Sequence, residues 1–120
     1  MSNKKILIIE DELLIGRVLK LVLEKRGFEV VHLNGPNNLM EEYKSLQPDV
    51  VVMDVSLNHD QSGVEVAHQM RENGCVCPIV FTTGNSYNQT KELISEINNT
   101  YLFIKPVDSD KLADFISDLK

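Results

Sequence analysis

Four places in the chain carry groups that can do chemistry, and each stands at the end of a short apolar run. Glu10-Asp11-Glu12 follows Ile6 to Ile9, Asp54 follows Val50 to Met53, Thr82-Thr83 closes the run from Pro78, and Lys105-Pro106 follows Tyr101 to Ile104. Carboxylates at Glu10, Asp11 and Asp54, once folded together, raise one another's pKa values until one takes up a proton, unless a cation lies among them. Mg2+ suits that place, because it takes oxygen ligands, needs few protein groups and keeps waters that a phosphate oxygen can displace. Lys105 can supply the other positive charge. Singly, each residue has a plainer reading: Asp11 as a helix N-cap, Glu10 as a solvated strand end, Asp54 as a turn residue, the threonines as strand formers and Lys105 as a surface lysine. Their common position at the ends of apolar runs favours one shared site.

Those runs are the elements that must position the site. Together with Phe28 to Leu33 they make five segments rich in β-branched residues, each separated from the next by room for one helix and two short loops. The intervening segments have helical periodicity. Leu14, Val18, Leu21 and Val22 are expected to form the buried face of the first helix, and Leu112, Phe115, Ile116 and Leu119 that of the last, with Lys111, Asp114, Ser117 and Asp118 outward. Runs without alternation at Ile6 and Val50 predict strands covered on both faces, whereas Glu29 and His32 interrupt the second run and predict an edge strand. Five βα units are too few for a closed barrel, so the expected fold class is α/β, a doubly wound five-stranded parallel sheet. In such sheets ligands bind beyond the carboxyl ends of the strands, where these polar residues lie.

The whole chain of 120 residues is expected to form one domain, residues 1–120. Its 42% hydrophobic and 25% charged residues describe a globular rather than a disordered chain. A net charge of −6 argues against nucleic-acid and anionic membrane surfaces. The apolar run after Met-Ser-Asn-Lys-Lys is far too short for a signal or a membrane span, so a cytoplasmic location is expected. Cys75 and Cys77 lack the company of a zinc site and read as buried or half-buried thiols. His59 and His68 read as solvated.

At the level of motifs the chain resembles the receiver domains of bacterial response regulators over nearly its full length. Lys5-Ile6-Leu7-Ile8-Ile9-Glu10-Asp11-Glu12 looks like that family's opening strand and acidic pair, and Pro48-Asp49-Val50-Val51-Val52-Met53-Asp54 like the strand carrying its phosphoacceptor. Pro78-Ile79-Val80-Phe81-Thr82-Thr83-Gly84 and Lys105-Pro106 match its other two signatures. The resemblance implies a flavodoxin-like (βα)5 fold with strand order 2-1-3-4-5, which makes the first and third strands neighbours. It implies that Asp54 is the nucleophile, that Glu10, Asp11, Asp54 and the backbone carbonyl of Ser56 surround Mg2+ or Mn2+, that Thr83 and Lys105 bind phosphoryl oxygens, and that the Lys105-Pro106 bond is cis. Such a domain takes its phosphoryl group from a sensor histidine kinase or a histidine phosphotransfer protein, catalysing its own modification rather than turning over a substrate. It signals to a downstream protein through its fourth helix, fifth strand and fifth helix, here about residues 87–120, and self-association on phosphorylation is a further expectation. Ser56 and Asn85 are expected beside the path of water attacking the acyl phosphate.

Two features depart from the family pattern. The loop from Asp54 to Gly63 is one residue longer than is common, with Asn58 where a proline is usual, and Leu102 stands at a position usually aromatic, between Tyr101 and Phe103. Rival readings fit less well. A phosphatase of the haloacid dehalogenase type needs a second acid two residues after its nucleophile, and position 56 is Ser. A flavodoxin-like nucleotide or flavin binder needs a phosphate-binding loop after the first strand, where this chain has Glu-Asp-Glu. A receiver reduced to a docking piece would not need the full set of acceptor residues that is present.

Overall fold

The computed structural model describes residues 4–57 and 62–119. Strands and helices alternate: β1 Lys5–Ile9, α1 Leu13–Lys25, β2 Glu29–Leu33, α2 Leu39–Leu46, β3 Val50–Asp54, α3 Gly63–Glu72, β4 Ile79–Thr83, α4 Tyr87–Ile94, β5 Thr100–Ile104 and α5 Ser109–Asp118. All strand pairings are parallel, in the order β2-β1-β3-β4-β5, as the resemblance implied. The strands match the expected runs to within a residue, and β2 is an edge.

Alternation along the strands divides the core between two faces. Leu7, Ile9, Val51, Met53, Ile79 and Phe81 pack with residues of α2, α3 and α4, while Ile6, Ile8, Val30, Val50, Val52 and Val80 pack with Leu19 and Leu23 of α1 and Leu112, Ala113 and Ile116 of α5. Strands β1, β3 and β4 are buried on both sides, which explains why their sequences lack a polar alternation. Helix α5 lies as expected, with Leu112 and Ile116 buried, Phe115 and Leu119 half-buried, and Lys111, Asp114, Ser117 and Asp118 exposed.

Helix α1 corrects the expectation. Its buried residues are Gly16, Leu19 and Leu23, whereas Leu14, Val18 and Leu21 are 76%, 46% and 58% exposed. Apolar residues occupy nearly every position from Leu13 to Leu23 apart from Gly16, Arg17 and Lys20, so two neighbouring stripes fit a helical period equally well. Packing against β2 and α5 chooses between them. The turn with no side chain, at Gly16, is the one laid on the sheet; a Cβ there would stand 2.1 Å from the His32 ring.

Candidate functional site

The site is built where β1 and β3 end side by side. Register pairs Ile9 with Met53, so the next residues, Glu10 and Asp54, emerge together on the α1 side of the sheet. Both are buried, 2% and 3% exposed. One carboxylate oxygen from each of Glu10, Asp11 and Asp54 lies within 4.8 Å of the other two. Lys105, just beyond β5, reaches across β4 and sets its Nζ 3.1 Å from Glu10 Oε1 and 3.1 Å from Asp54 Oδ2. Its own backbone N–H donates to the Thr83 carbonyl at 2.7 Å, and the Lys105–Pro106 bond is cis. Asp54 Oδ1 accepts from the Ser56 N–H at 3.0 Å, and Glu10 Oε2 from the Glu12 N–H at 3.2 Å.

Asp11 is not a helix cap. The N-cap of α1 is Glu12, without a side-chain cap bond. Among the described residues the hydrogen bonds and ion pairs of the site engage Glu10 and Asp54 and leave the Asp11 carboxylate open.

Three carboxylates and one ammonium leave the cluster negative in a mostly buried place. Burial pushes the Glu10 carboxyl up to about 7, aided by its hydrogen bond to Asp54 and by the Asp54 charge, with Lys105 and the Glu12 amide opposing. Burial also works against the Lys105 ammonium, but the hydrogen bond to Glu10 and the charge of Asp54 outweigh it and raise its pKa. An all-oxygen donor set with uncompensated negative charge fits a hard divalent cation of the Mg2+ kind and is wrong for soft metals.

The Glu10 shift makes a prediction for the cation-free protein. The folded carboxyl holds its proton more tightly than an unfolded one of ordinary value 4.5, so this group's contribution to stability is full below about pH 4.5 and lost as pH rises through about 7. In EDTA the native chain should therefore lose stability between pH 5 and pH 8 by a few kcal/mol relative to Glu10→Gln. Thermal melts of both proteins across that range test this; parallel pH slopes would remove Glu10 as the cause.

Thr83 is fully buried at the end of β4, and alternation puts it on the face opposite Glu10 and Asp54. Its Oγ1 accepts from the Asn85 N–H at 3.0 Å and lies 3.4 Å from the Thr90 hydroxyl on α4. It is Thr82 that lines the same hollow as Glu10 and Lys105. Leu102 packs into the α4 side of the core, whereas Tyr101 and Phe103 meet Phe115 of α5 edge-to-face at 5.0 and 5.3 Å. Neither aromatic faces the side occupied by Leu102. Ser56 and Asn85 are exposed, and so is His68; Cys75 is buried and Cys77 half-buried, with burial raising both thiol pKa values. His59 and Asn58 lie outside the described residues.

Sequence reasoning missed Gly63 as a site residue. It opens α3, and a Cβ there would stand 2.0 Å from the Asp54 carbonyl oxygen. Ser62, whose Oγ accepts from the Val64 N–H at 3.1 Å, caps this helix start, but a cap signals only the start of the helix and not the close approach at Gly63.

The sequence profile described as the response regulator receiver domain matches residues 6–117. The chain belongs to that family. Among curated relatives, this receiver domain is 31% identical over 104 residues to the alkaline phosphatase synthesis transcriptional regulatory protein PhoP of Bacillus subtilis, covering 87% of the chain and 43% of PhoP. It is 29% identical over 113 residues to the aerobic respiration control protein ArcA of Escherichia coli, covering 94% of the chain and 47% of ArcA. The receiver domain thus spans about half the length of these relatives. The chemotaxis protein CheY4 of Vibrio cholerae shares its fold with a TM-score of 0.87 at 19% identity, covering 99% of this chain and 100% of that one. Receiver domains are signalling domains of two-component systems, not metabolic enzymes, and as a family they accept a phosphoryl group and bind Mg2+.

Proposed function

We propose that Asp54 accepts a phosphoryl group from a phosphohistidine on a sensor kinase or a histidine phosphotransfer protein. The observation that carries this reading is the meeting of Glu10, Asp11 and Asp54 with Lys105 at the ends of β1, β3 and β5. An Asp54 carboxylate oxygen forms the new bond to phosphorus as the phosphorus–nitrogen bond of the donor breaks, and the leaving imidazole takes up a proton. Glu10, Asp11, Asp54 and the Ser56 carbonyl would hold Mg2+ or Mn2+, which when bound neutralises charge on the transferring group. Lys105 leaves its pairing with Asp54 to meet a phosphoryl oxygen. Water attack on the acyl phosphate, past Ser56 and Asn85, returns the free carboxylate.

The output follows from Thr83. Its hydroxyl exchanges Thr90 for a phosphoryl oxygen, which frees the start of α4 to shift. The groove among α4, β5 and α5, about 530 Å³ and lined by Tyr87, Lys91, Ile94, Tyr101, Phe103 and Phe115, lies within the expected output surface of residues 87–120. Because Leu102 replaces an aromatic there, coupling runs through the Thr83–Thr90 contact and not through a ring changing rotamer. A downstream protein or a second copy of the domain would read this surface. A cytoplasmic location fits the reading; among the described residues no helix is long and apolar enough to cross a membrane.

The exposed row of Leu14, Val18 and Leu21 starts beside the acidic loop and suits docking of the phosphodonor. Leu14→Glu should slow transfer from a histidine-phosphorylated donor about tenfold, the loss of one good apolar contact, and leave uptake from acetyl phosphate unchanged. Equal slowing with both donors would mean damage to the site itself.

The function is tested by intact mass after incubation with acetyl phosphate and Mg2+. A gain of about 80 Da, one phosphoryl group, that disappears in EDTA supports the reading. No gain from acetyl phosphate and none from a panel of phosphorylated donors would refute it.

A further inference from the structure

We propose that His32 is a positioning residue for the cation site, holding the acidic loop through the Glu10 carbonyl and thereby aiming Asp11. This rests on the receiver reading above and adds to it a residue outside the family's motif set.

Alternation places His32 on the α1 side of β2, in register with Ile8. Its Nε2 lies 2.8 Å from the backbone oxygen of Glu10. A carbonyl oxygen only accepts, so Nε2 is the ring nitrogen that carries the proton and donates. The Glu10 N–H meanwhile donates to the Leu33 carbonyl at 3.0 Å. Both backbone polar groups of Glu10 are thus held by consecutive residues at the end of the edge strand. Because the peptide unit is planar, holding the Glu10 oxygen fixes the plane that leads to the Asp11 α-carbon.

That matters for Asp11 in particular. Lys105 grips the carboxylates of Glu10 and Asp54, and the Ser56 and Glu12 amides hold them further. Among the described residues no such contact reaches the Asp11 carboxylate, so its direction comes from the backbone that bears it. Among the described residues, the His32 ring is the side chain from another strand that hydrogen-bonds this backbone.

A half-buried histidine with one hydrogen bond is often no more than a satisfied core residue. Gly16 argues for more. It sits in the interior of α1, where glycine is a poor helix former, and an added Cβ would meet the His32 ring at 2.1 Å from both Cε1 and Nε2. The helix gives up a side chain at the turn that covers the ring, and the ring uses that space to reach Glu10.

The test is the Mn2+ dissociation constant, followed by electron paramagnetic resonance, with Mg2+ as competitor. Its variants are His32→Leu, which keeps bulk and loses the donor, and His32→Gln, whose amide nitrogen can stand where Nε2 stands. His32→Leu should bind Mn2+ about tenfold more weakly, with His32→Gln restoring most of the loss. Gly16→Ala should weaken binding as His32→Leu does, by driving the ring off its acceptor, and it carries the test if His32→Leu fails to fold. Wild-type affinity in His32→Leu would overturn the proposal, and so would equal weakening in the Leu and Gln variants, since only packing would then matter. If the wild-type chain itself bound no Mn2+, the proposed cation-assisted phosphoacceptor function would fall first and this inference with it.

Discussion

Asp54→Asn should show no gain of phosphoryl mass under conditions in which the wild-type domain gains about 80 Da, while its melting temperature in EDTA stays level or rises. An amide oxygen is a poor nucleophile toward phosphorus, and no neighbouring acid stands where Asp54 stands: Glu10 faces Lys105 from β1, and Asp11 lies on the loop beyond it. Stability should hold because the change removes a negative charge from a cluster that already has too many. Asp54 helps to raise the Glu10 pKa, so its neutralisation also relieves Glu10. Lys105 keeps its 3.1 Å contact with Glu10. Intact mass and thermal melts on the same samples separate the two effects. A full phosphoryl gain in Asp54→Asn would move the acceptor elsewhere, and peptide mapping would locate it. Loss of uptake together with a collapsed melt would instead make Asp54 a structural residue.

Gly63→Ala should be among the most damaging single-carbon additions to this domain. The new methyl group would lie 2.0 Å from the Asp54 carbonyl oxygen and 2.9 Å from Met53 Cγ. The first of these is strand backbone, which cannot rotate away as the end of a side chain can. Helix α3 must move outward, lengthening the 2.7 Å hydrogen bond from the Gly63 N–H to the Val55 carbonyl and pulling on the residues that follow Asp54. Overpacking of this kind costs about 2–3 kcal/mol, which for a domain of this size lowers the melting temperature by roughly 10 °C. Phosphoryl uptake should slow as well, because the Ser56 N–H that holds Asp54 Oδ1 lies in the same turn. Gly35→Ala is the control: nothing lies within 4 Å of its added carbon, and its melt should match the wild type. A Gly63→Ala domain that melts and accepts phosphate normally would show that the approach of α3 to β3 is not tight.

Charge and hydropathy along the chain sufficed to locate the five strands, the helices between them and the acids at the strand ends. Strand periodicity is local, and buried parallel strands announce themselves as unbroken apolar runs such as Ile6 to Ile9 and Val50 to Val52. The convergence of Glu10, Asp11, Asp54 and Lys105 was legible for the same reason once the family resemblance supplied the strand order, since strand ends are points that topology alone brings together. What depends on contact at a distance was not legible. The stripe of α1 that would be buried was ambiguous, because apolar residues nearly surround the helix and only docking against β2 and α5 distinguishes them. That the Thr83 hydroxyl rests beside Thr90 was not legible either, since alternation along β4 and the docking of α4 decide it. His32 showed in the sequence only as an interruption of an apolar run, and Gly16 and Gly63 only as glycines. Sequence by itself thus determined where along the chain the reactive groups and their supporting elements lie; tertiary structure decided which side each helix and hydroxyl faces and where two backbones come too close for a side chain, because those choices are made by packing between segments far apart in sequence.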